Sequence, residues 1–293
     1  MGKEVPGYIG PYRLVKLAHR GPAIEIWQAS QDSQKRWVAV KTPIEKLRRN
    51  REQIRLLQWE YAVAHDLVHP GIVRMYEFEI VRGIPYLAME WVPSPHMKMR
   101  IRQGPDQIAH LIPTIIQQAG EALGCLNEAG WVHRDIKPEN FLVADDGTVK
   151  MIDFALARRS RRGLGRLFAR KTKIQGTCSY MAPEQIRGKA ADQRADVYGF
   201  GCVVFELVAR RPPFTGTNAT DLLHKHLRTP PPAIEMLDRN VTREFSQLLR
   251  RTMAKDPAQR PPSVQDFLAE LNSIRIFRVM PQPPEPSAKE DSE

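Results

Sequence analysis

Length, composition and charge restrict the class of protein before any motif is considered. The chain has 293 residues and a formal net charge of +11, with 44 Lys and Arg residues against 33 Asp and Glu. A hydrophobic content of 42% and a charged content of 26% are typical of a folded globular chain and exclude a disordered or fibrous one. Three scattered cysteines do not suit a disulfide framework. Because no apolar run approaches the ~20 residues of a membrane span, we expect a soluble, cytoplasmic protein without a transmembrane segment.

In chain order, strands are predicted first and helices afterwards. Runs of β-branched and aromatic residues between turn residues predict strands at 12–17, 23–29, 37–41, 72–79 and 86–91. Between the third and fourth strands, Ile54, Leu57 and Tyr61 recur at helical spacing and predict a helix over 45–67. Further helices are predicted at 112–129, 195–209, 219–227, 243–253 and 263–274. A strand-rich first third followed by helices indicates two lobes with a cleft between them.

Three motifs follow the last predicted strand. They read VHRDIKPENFLV from Val132, MIDFALA from Met151 and SYMAPEQ from Ser179. On these residues the chain resembles the eukaryotic-type protein serine/threonine kinases, including those of bacteria, from about Tyr12 to Ile274. The resemblance implies an α+β, bilobal protein kinase fold, with a small lobe of five strands and one helix and a larger, mostly helical lobe.

The same resemblance divides the chain into regions. Residues 1–11 would be an N-terminal extension, 12–92 the kinase N-lobe, and 93–279 the C-lobe, with an activation segment at 153–184. Residues 280–293 are rich in proline and acidic residues and are predicted to be a disordered tail.

The resemblance implies an enzyme that transfers the γ-phosphate of ATP, with Mg²⁺, to serine or threonine hydroxyls of protein substrates, itself included. Asp135 would accept the hydroxyl proton, and Lys137 would neutralise the moving phosphate. Lys41 would contact the α- and β-phosphates and pair with Glu60. An isolated aspartate is more often a turn residue or helix cap, but the spacing of the motif favours catalytic roles.

The remaining roles concern the nucleotide and its metal ion. Asn140 and Asp153 would supply the oxygen ligands that suit Mg²⁺. Met89 would be the gatekeeper, and the backbone from Glu90 to Val92 would bind adenine. The base would be held between Ile26, Ala39 and Leu142. Outside the site, the resemblance pairs Glu184 with Arg260 and lets Asp196 support the catalytic loop.

The sequence departs from the family at two places. His19, Gly21 and Ile24 stand where three phosphate-binding glycines are expected, so Gly21 alone remains for phosphate contact. A branched Ile24 would be strained at a positive φ. Ala155 replaces the glycine of DFG and would restrict that hinge. These changes predict a weak grip on phosphate, and the alternative function is a pseudokinase-like, nucleotide-binding scaffold.

A strongly basic segment begins with Arg158 and ends with Lys173; it holds eight basic residues and no acidic one. Thr172 is its best candidate phosphosite, and the phosphate would order the segment by pairing with Arg134. A solvated basic loop and a docking surface for acidic protein substrates are equally favoured interpretations. Contact with nucleic acid or an anionic membrane ranks below both.

Overall fold

The computed structural model describes residues 7–104, 108–160 and 178–284, which form two lobes. The small lobe is built on an antiparallel sheet whose strands, in chain order, are β1 (Tyr8–Ile9), β2 (Tyr12–Arg20), β3 (Ile24–Gln31), β4 (Arg36–Pro43), β5 (Met75–Val81) and β6 (Ile84–Glu90). Their order across the sheet is β1-β2-β3-β4-β6-β5. Helix α1 (Arg51–Ala64) follows β4 in the chain and packs against β4, β5 and β6.

The five predicted strands and the predicted helix are confirmed, with shifted ends. Residues 45–47 form a separate 3₁₀ turn, and α1 begins only after Asn50. The reason is a helix cap: Asn50 Oδ1 accepts hydrogen bonds from the backbone N–H groups of Glu52 and Gln53, at 2.9 and 3.2 Å. The two-residue strand β1 adds a sixth strand within the predicted extension.

The large lobe is mostly helical, as predicted. Its helices are α2 (Met97–Gln103), α3 (Ile112–Glu128), α4 (Pro183–Ile186), α5 (Gln193–Ala209), α6 (Ala219–Arg228), α7 (Arg243–Thr252) and α8 (Val264–Leu271). The five predicted helices are confirmed, whereas α2 and α4 were not predicted from the sequence. Both are short, so apolar periodicity cannot reveal them. Within the described ranges, none of the helices combines the length and apolar character needed to cross a membrane.

Two small antiparallel pairs lie near the junction of the lobes. Strand β7 (Trp131–Val132) pairs with β10 (Arg158–Arg159), and β8 (Phe141–Val143) pairs with β9 (Val149–Met151). The catalytic motif lies between β7 and β8, and the DFA motif lies between β9 and β10. These pairings therefore fix both ends of each motif.

Helix α5 is the central element of the large lobe and is buried along nearly its whole length. Gly199 allows the segment from His133 to Ile136, which contains Asp135, to lie directly against this helix. A Cβ atom at Gly199 would meet Ile136 Cβ at 3.1 Å and the Tyr180 carbonyl at 3.3 Å. A larger residue there would displace the segment that carries Asp135.

The buried His226 on α6 supplies a prediction about pH. Its Nδ1 lies 2.8 Å from the Tyr198 hydroxyl, and burial, followed by the charge of Lys255, lowers its pKa to about 4. Its pKa in the unfolded chain is about 6.5, so the unfolded chain binds the proton more readily. His226 should therefore lower the free energy of unfolding by about 2 kcal/mol between pH 7.5 and pH 5.

Urea denaturation of wild type and His226→Gln at the two pH values checks this expectation. The variant should show a pH dependence smaller by about that amount, ~2 kcal/mol. The matched control is His224→Gln, an exposed histidine on the same helix, which should behave as wild type. An undiminished pH dependence in His226→Gln would contradict the assignment.

Candidate active site

The catalytic loop after β7 is held by one buried carboxylate. Asp196 lies in the first turn of α5 and is 1% exposed. Its carboxylate accepts hydrogen bonds from the backbone N–H groups of His133, at 2.8 Å, and Arg134, at 2.9 Å. It also accepts a hydrogen bond from the side-chain N–H of Asn127 at 2.9 Å. Arg134 has a φ of +71°, a conformation that costs energy for a non-glycine residue. The two backbone bonds to Asp196 hold the chain in that conformation just before Asp135.

Asp135, Lys137 and Asn140 lie together on this loop. Lys137 Nζ is 2.5 Å from Asp135 Oδ2. The side-chain N–H of Asn140 donates to the backbone carbonyl of Asp135 at 2.8 Å, and the backbone carbonyl of Asn140 accepts the N–H of Ile152 at 2.9 Å. Because its amide nitrogen is the donor to Asp135, the oxygen Oδ1 of Asn140 is the atom that a cation would use.

A second group of charges joins β4, α1 and the DFA motif. Lys41 Nζ lies 2.8 Å from Glu60 Oε2 and 3.3 Å from Asp153 Oδ1. Burial alone would lower the pKa of Lys41, but the charges of Asp153 and Glu60 outweigh burial and raise it. Burial would likewise raise the pKa of Asp153, yet Lys41, Lys137 and His133 lower it. Lys41 and Asp153 are therefore both charged at neutral pH.

These charges line a cavity of about 540 Å³ between the lobes. The strand register explains the arrangement, because Ile26 pairs with Lys41 and Ala39 pairs with Met89 on neighbouring strands. The predicted residues that line the cavity are Ile26, Ala39, Lys41, Glu60, Met89, Glu90, Val92, Asn140, Leu142 and Asp153. Asp135 and Lys137 lie beside it, connected through Asn140.

Gly21 lies apart from the cavity lining, at the tip of the β2–β3 hairpin. Its N–H donates to the carbonyl of Ile24 at 2.8 Å and so closes the turn. The ion pair of Arg20 Nη2 with Glu25 Oε1, at 2.6 Å, lies beside the turn. Since Pro22 has no N–H, the tip offers few free donors to a phosphate, and the predicted contact of Gly21 with phosphate stays a prediction.

The expectation of backbone strain at Ile24 is wrong, whereas the restricted hinge at Ala155 stays a prediction. Ile24 begins β3 and pairs with Pro43. Among the described non-glycine residues, positive φ occurs at Lys35, Arg82, Arg134, Asp153 and Arg210. Ile24 and Ala155 both lie outside that region, so a side chain at either position costs nothing in this conformation. The strained position in the DFA motif is the aspartate, with a φ of +66°.

Several cavity residues were missed by the sequence reasoning. They are Ala18, Val73, Ser94, Pro95, His96, Met99, Glu139 and Ile152. His96 caps α2, because its Nδ1 accepts the N–H of Met99 at 3.2 Å. Burial lowers the pKa of His96, which keeps the ring neutral and able to accept. In the sequence, this helix cap is indicated only by the position of His96 before a short run of helix-forming residues.

The metal site can be tested against the donors that are present. Across the three described ranges, no group of three or more His, Cys, Asp and Glu side chains could hold a metal ion by itself. Asn140 and Asp153 offer two hard oxygens at the cavity edge, which fits Mg²⁺, an ion that binds few protein ligands and completes its shell with water and phosphate.

Most of the basic segment lies outside the described residues, and so do Thr172 and residues 161–177. The described residues at its start are fixed to the large lobe. Arg158 and Arg159 pair with β7, and the N–H of Ser160 donates to the carbonyl of Gly130 at 2.8 Å. Glu184 lies after the segment, and its carboxylate forms two 2.8 Å contacts with the buried Arg260, which confirms the predicted pair.

A two-lobed fold with a catalytic loop, a lysine–glutamate pair and a cleft between the lobes defines the protein kinase class. Residues 15–270 match the protein kinase domain family. The chain therefore belongs to the protein kinase family.

Curated relatives agree with this placement. The chain is 31% identical over 272 residues to a probable serine/threonine-protein kinase of Streptomyces coelicolor, over 90% of this chain and 40% of that one. It is 32% identical over 280 residues to the serine/threonine-protein kinase PknA of Mycobacterium tuberculosis, over 94% and 63% respectively. It is also 32% identical over 270 residues to PknB of Mycolicibacterium smegmatis, over 90% and 43%. The chain thus spans from two-fifths to just over three-fifths of these relatives' lengths.

The raised pKa of Lys41 gives a test that needs no substrate. Glu60→Gln removes one of the two carboxylates that hold the ammonium charged, so the pKa of Lys41 should fall. For each unit by which the pKa of Lys41 falls, the fraction of Lys41 that is a neutral amine at pH 9 rises about tenfold. Acylation of Lys41 by an amine-reactive ester, followed by mass spectrometry, should therefore be faster in the variant. The control is Glu52→Gln, at an exposed position on the same helix. If Lys41 is acylated as much faster in this control as in Glu60→Gln, Glu60 is not what keeps Lys41 charged.

Proposed function

We propose that this chain is a protein serine/threonine kinase that transfers the γ-phosphate of ATP to serine or threonine hydroxyls. The supporting observation is that Lys41, Glu60 and Asp153 form one ion group beside the Asp135–Lys137 pair, at the edge of a cavity large enough for a nucleotide. Membership of the protein kinase family implies ATP as substrate and usually Mg²⁺.

The cavity divides into an apolar end and a charged end. Adenine would lie between Ile26, Ala39 and Leu142, beside Met89. The N–H of Glu90 already donates to the carbonyl of Arg74 at 2.8 Å, and the carbonyl of Val92 accepts the N–H of Ser94 at 2.9 Å. The groups that would meet the base are therefore the carbonyl of Glu90 and the N–H of Val92. Lys41 would contact the α- and β-phosphates, and Glu60 would keep its ammonium group in place.

At the charged end each residue has a distinct task. Asp135 would accept the proton of the attacking hydroxyl, and Lys137 would balance the negative charge on the phosphoryl group during its transfer. Asn140 and Asp153 would hold Mg²⁺, which supplies charge neutralisation for the β- and γ-phosphate oxygens. Asn140 also binds the backbone of Asp135, so the metal-binding residue and the base are positioned by the same loop.

The proposal extends to the substrate and to the place of action. Protein substrates would include the chain itself, with Thr172 as the first site to examine. Substrates with acidic segments would suit the net charge of +11 and the basic residues 158–173. Contact of that segment with nucleic acid or an anionic membrane is proposed as the weaker alternative, and the cytoplasm is proposed as the place of action.

Autophosphorylation with labelled ATP and Mg²⁺ tests the transferase activity. Wild type should incorporate label on serine or threonine, and Asp135→Asn should reduce incorporation at least a hundredfold, because the base is lost while its shape is kept. Mapping of the labelled sites would show whether Thr172 is among them.

The matched control is Asp66→Asn, the same chemical change at a side chain that is 86% exposed, and it should leave incorporation unchanged. Equal incorporation by wild type and Asp135→Asn would contradict the role of Asp135. Thermal stabilisation by ATP and Mg²⁺ without any transfer by wild type would indicate a nucleotide-binding scaffold, an alternative that the kinase relatives do not support.

A further inference from the structure

Trp59 precedes Glu60 on α1, and its indole reaches out of the small lobe. The indole Nε1–H donates to the carbonyl of Ala157 at 2.8 Å. Ala157 lies four residues after Asp153, directly before β10, and is fully buried. A single side chain thus joins the helix that carries Glu60 to the backbone that follows the DFA motif.

The ring of Trp59 is also fixed by its neighbours. It packs edge-to-face against Trp131, with centroids 5.6 Å apart and an interplanar angle of 85°. The guanidinium of Arg158 lies 5.2 Å from the Trp59 centroid, and that of Arg159 lies 4.1 Å from the Trp131 centroid. Both rings are therefore covered by the paired residues of β7 and β10, and the indole has a defined orientation.

This contact determines where Glu60 can lie. Hydrogen bonds weaken steeply once the heavy atoms separate beyond about 3.2 Å. A shift of α1 by about 1 Å away from the large lobe would therefore break both the Trp59–Ala157 bond and the Glu60–Lys41 contact. Because residues 59 and 60 are consecutive in one helix, a shift of α1 displaces the backbone of both residues together.

We propose that Trp59 is a positioning residue: its bond to the Ala157 carbonyl holds α1 where Glu60 meets Lys41. Its contribution to phosphoryl transfer then passes through Glu60, and in that respect the inference rests on the proposed kinase activity. The bond also makes the position of Glu60 sensitive to the backbone at the start of the basic segment.

Trp59→Phe is the informative change, because it keeps an aromatic ring against Trp131 and removes only the N–H donor. A net hydrogen bond contributes about 1 kcal/mol, so kcat/KM should fall about five-fold. At pH 9 the acylation of Lys41 should also become about five-fold faster, because its ammonium group loses part of its contact with Glu60. Trp37→Phe, at a half-exposed indole on β4, is the control and should change neither quantity.

A double-mutant cycle with Glu60→Gln separates positioning from ordinary packing. In the Glu60→Gln background, Trp59→Phe should have no further effect on kcat/KM or on the acylation rate of Lys41. Effects of the two substitutions that simply add would overturn the proposal, and so would a Trp59→Phe variant that matches wild type. The melting temperature of each variant identifies any general loss of folding.

The two readouts also separate this inference from the proposed function. If wild type transfers no phosphate, the kinase proposal fails, but the acylation rates still report the position of Glu60. Faster acylation in Trp59→Phe that disappears in the Glu60→Gln background would support the positioning role in that case. Unchanged acylation would overturn it whatever the activity.

Discussion

The ion group of Lys41, Glu60 and Asp153 is the interaction on which the arrangement of the two lobes around the cleft depends. Its members come from a strand, a helix and the DFA motif, and Glu60 is only 1% exposed. An unpaired charge at such a depth would cost several kcal/mol, so Glu60 needs the ammonium of Lys41 beside it, and Lys41 needs its carboxylate partners. The strand, the helix and the large lobe therefore have little freedom to separate while Lys41 keeps its contacts with Glu60 and Asp153.

Two of the five described non-glycine residues with positive φ lie next to this chemistry. Arg134 and Asp153 both have positive φ, and each is held by partners that would be lost if the chain relaxed. For Arg134 the partner is the buried carboxylate of Asp196, and for Asp153 it is the ammonium of Lys41. Helix α5 thus supports the loop that carries Asp135, whereas β4 supports Asp153. The cost of about 1–3 kcal/mol for each strained residue is offset by these polar contacts.

Regular elements and motif residues could be predicted from the sequence, because periodicity and spacing are local properties. The five long strands and α1 are of this kind, whereas the ion pair of Lys41 with Glu60 was implied only by the resemblance to protein kinases. Contacts made across the fold could not be predicted in that way. The bond that closes the turn at Gly21, the cap at His96 and the reach of Trp59 to Ala157 each depend on where two distant segments meet. The strain expected at Ile24 failed for the same reason, since hairpin register sets φ there.

Five charged residues at the charged end of the cavity have a charge balance opposite to that of the whole chain. The chain carries +11, whereas Asp135, Asp153 and Glu60 bring three negative charges and Lys41 and Lys137 bring two positive ones. A polyphosphate entering here meets no excess of positive charge from these five residues. The hairpin tip adds little, since the N–H of Gly21 already closes its turn and Pro22 has none. In the proposed kinase reaction a divalent cation would supply the positive charge that these five residues lack, and nucleotide affinity should then depend on the concentration of that cation.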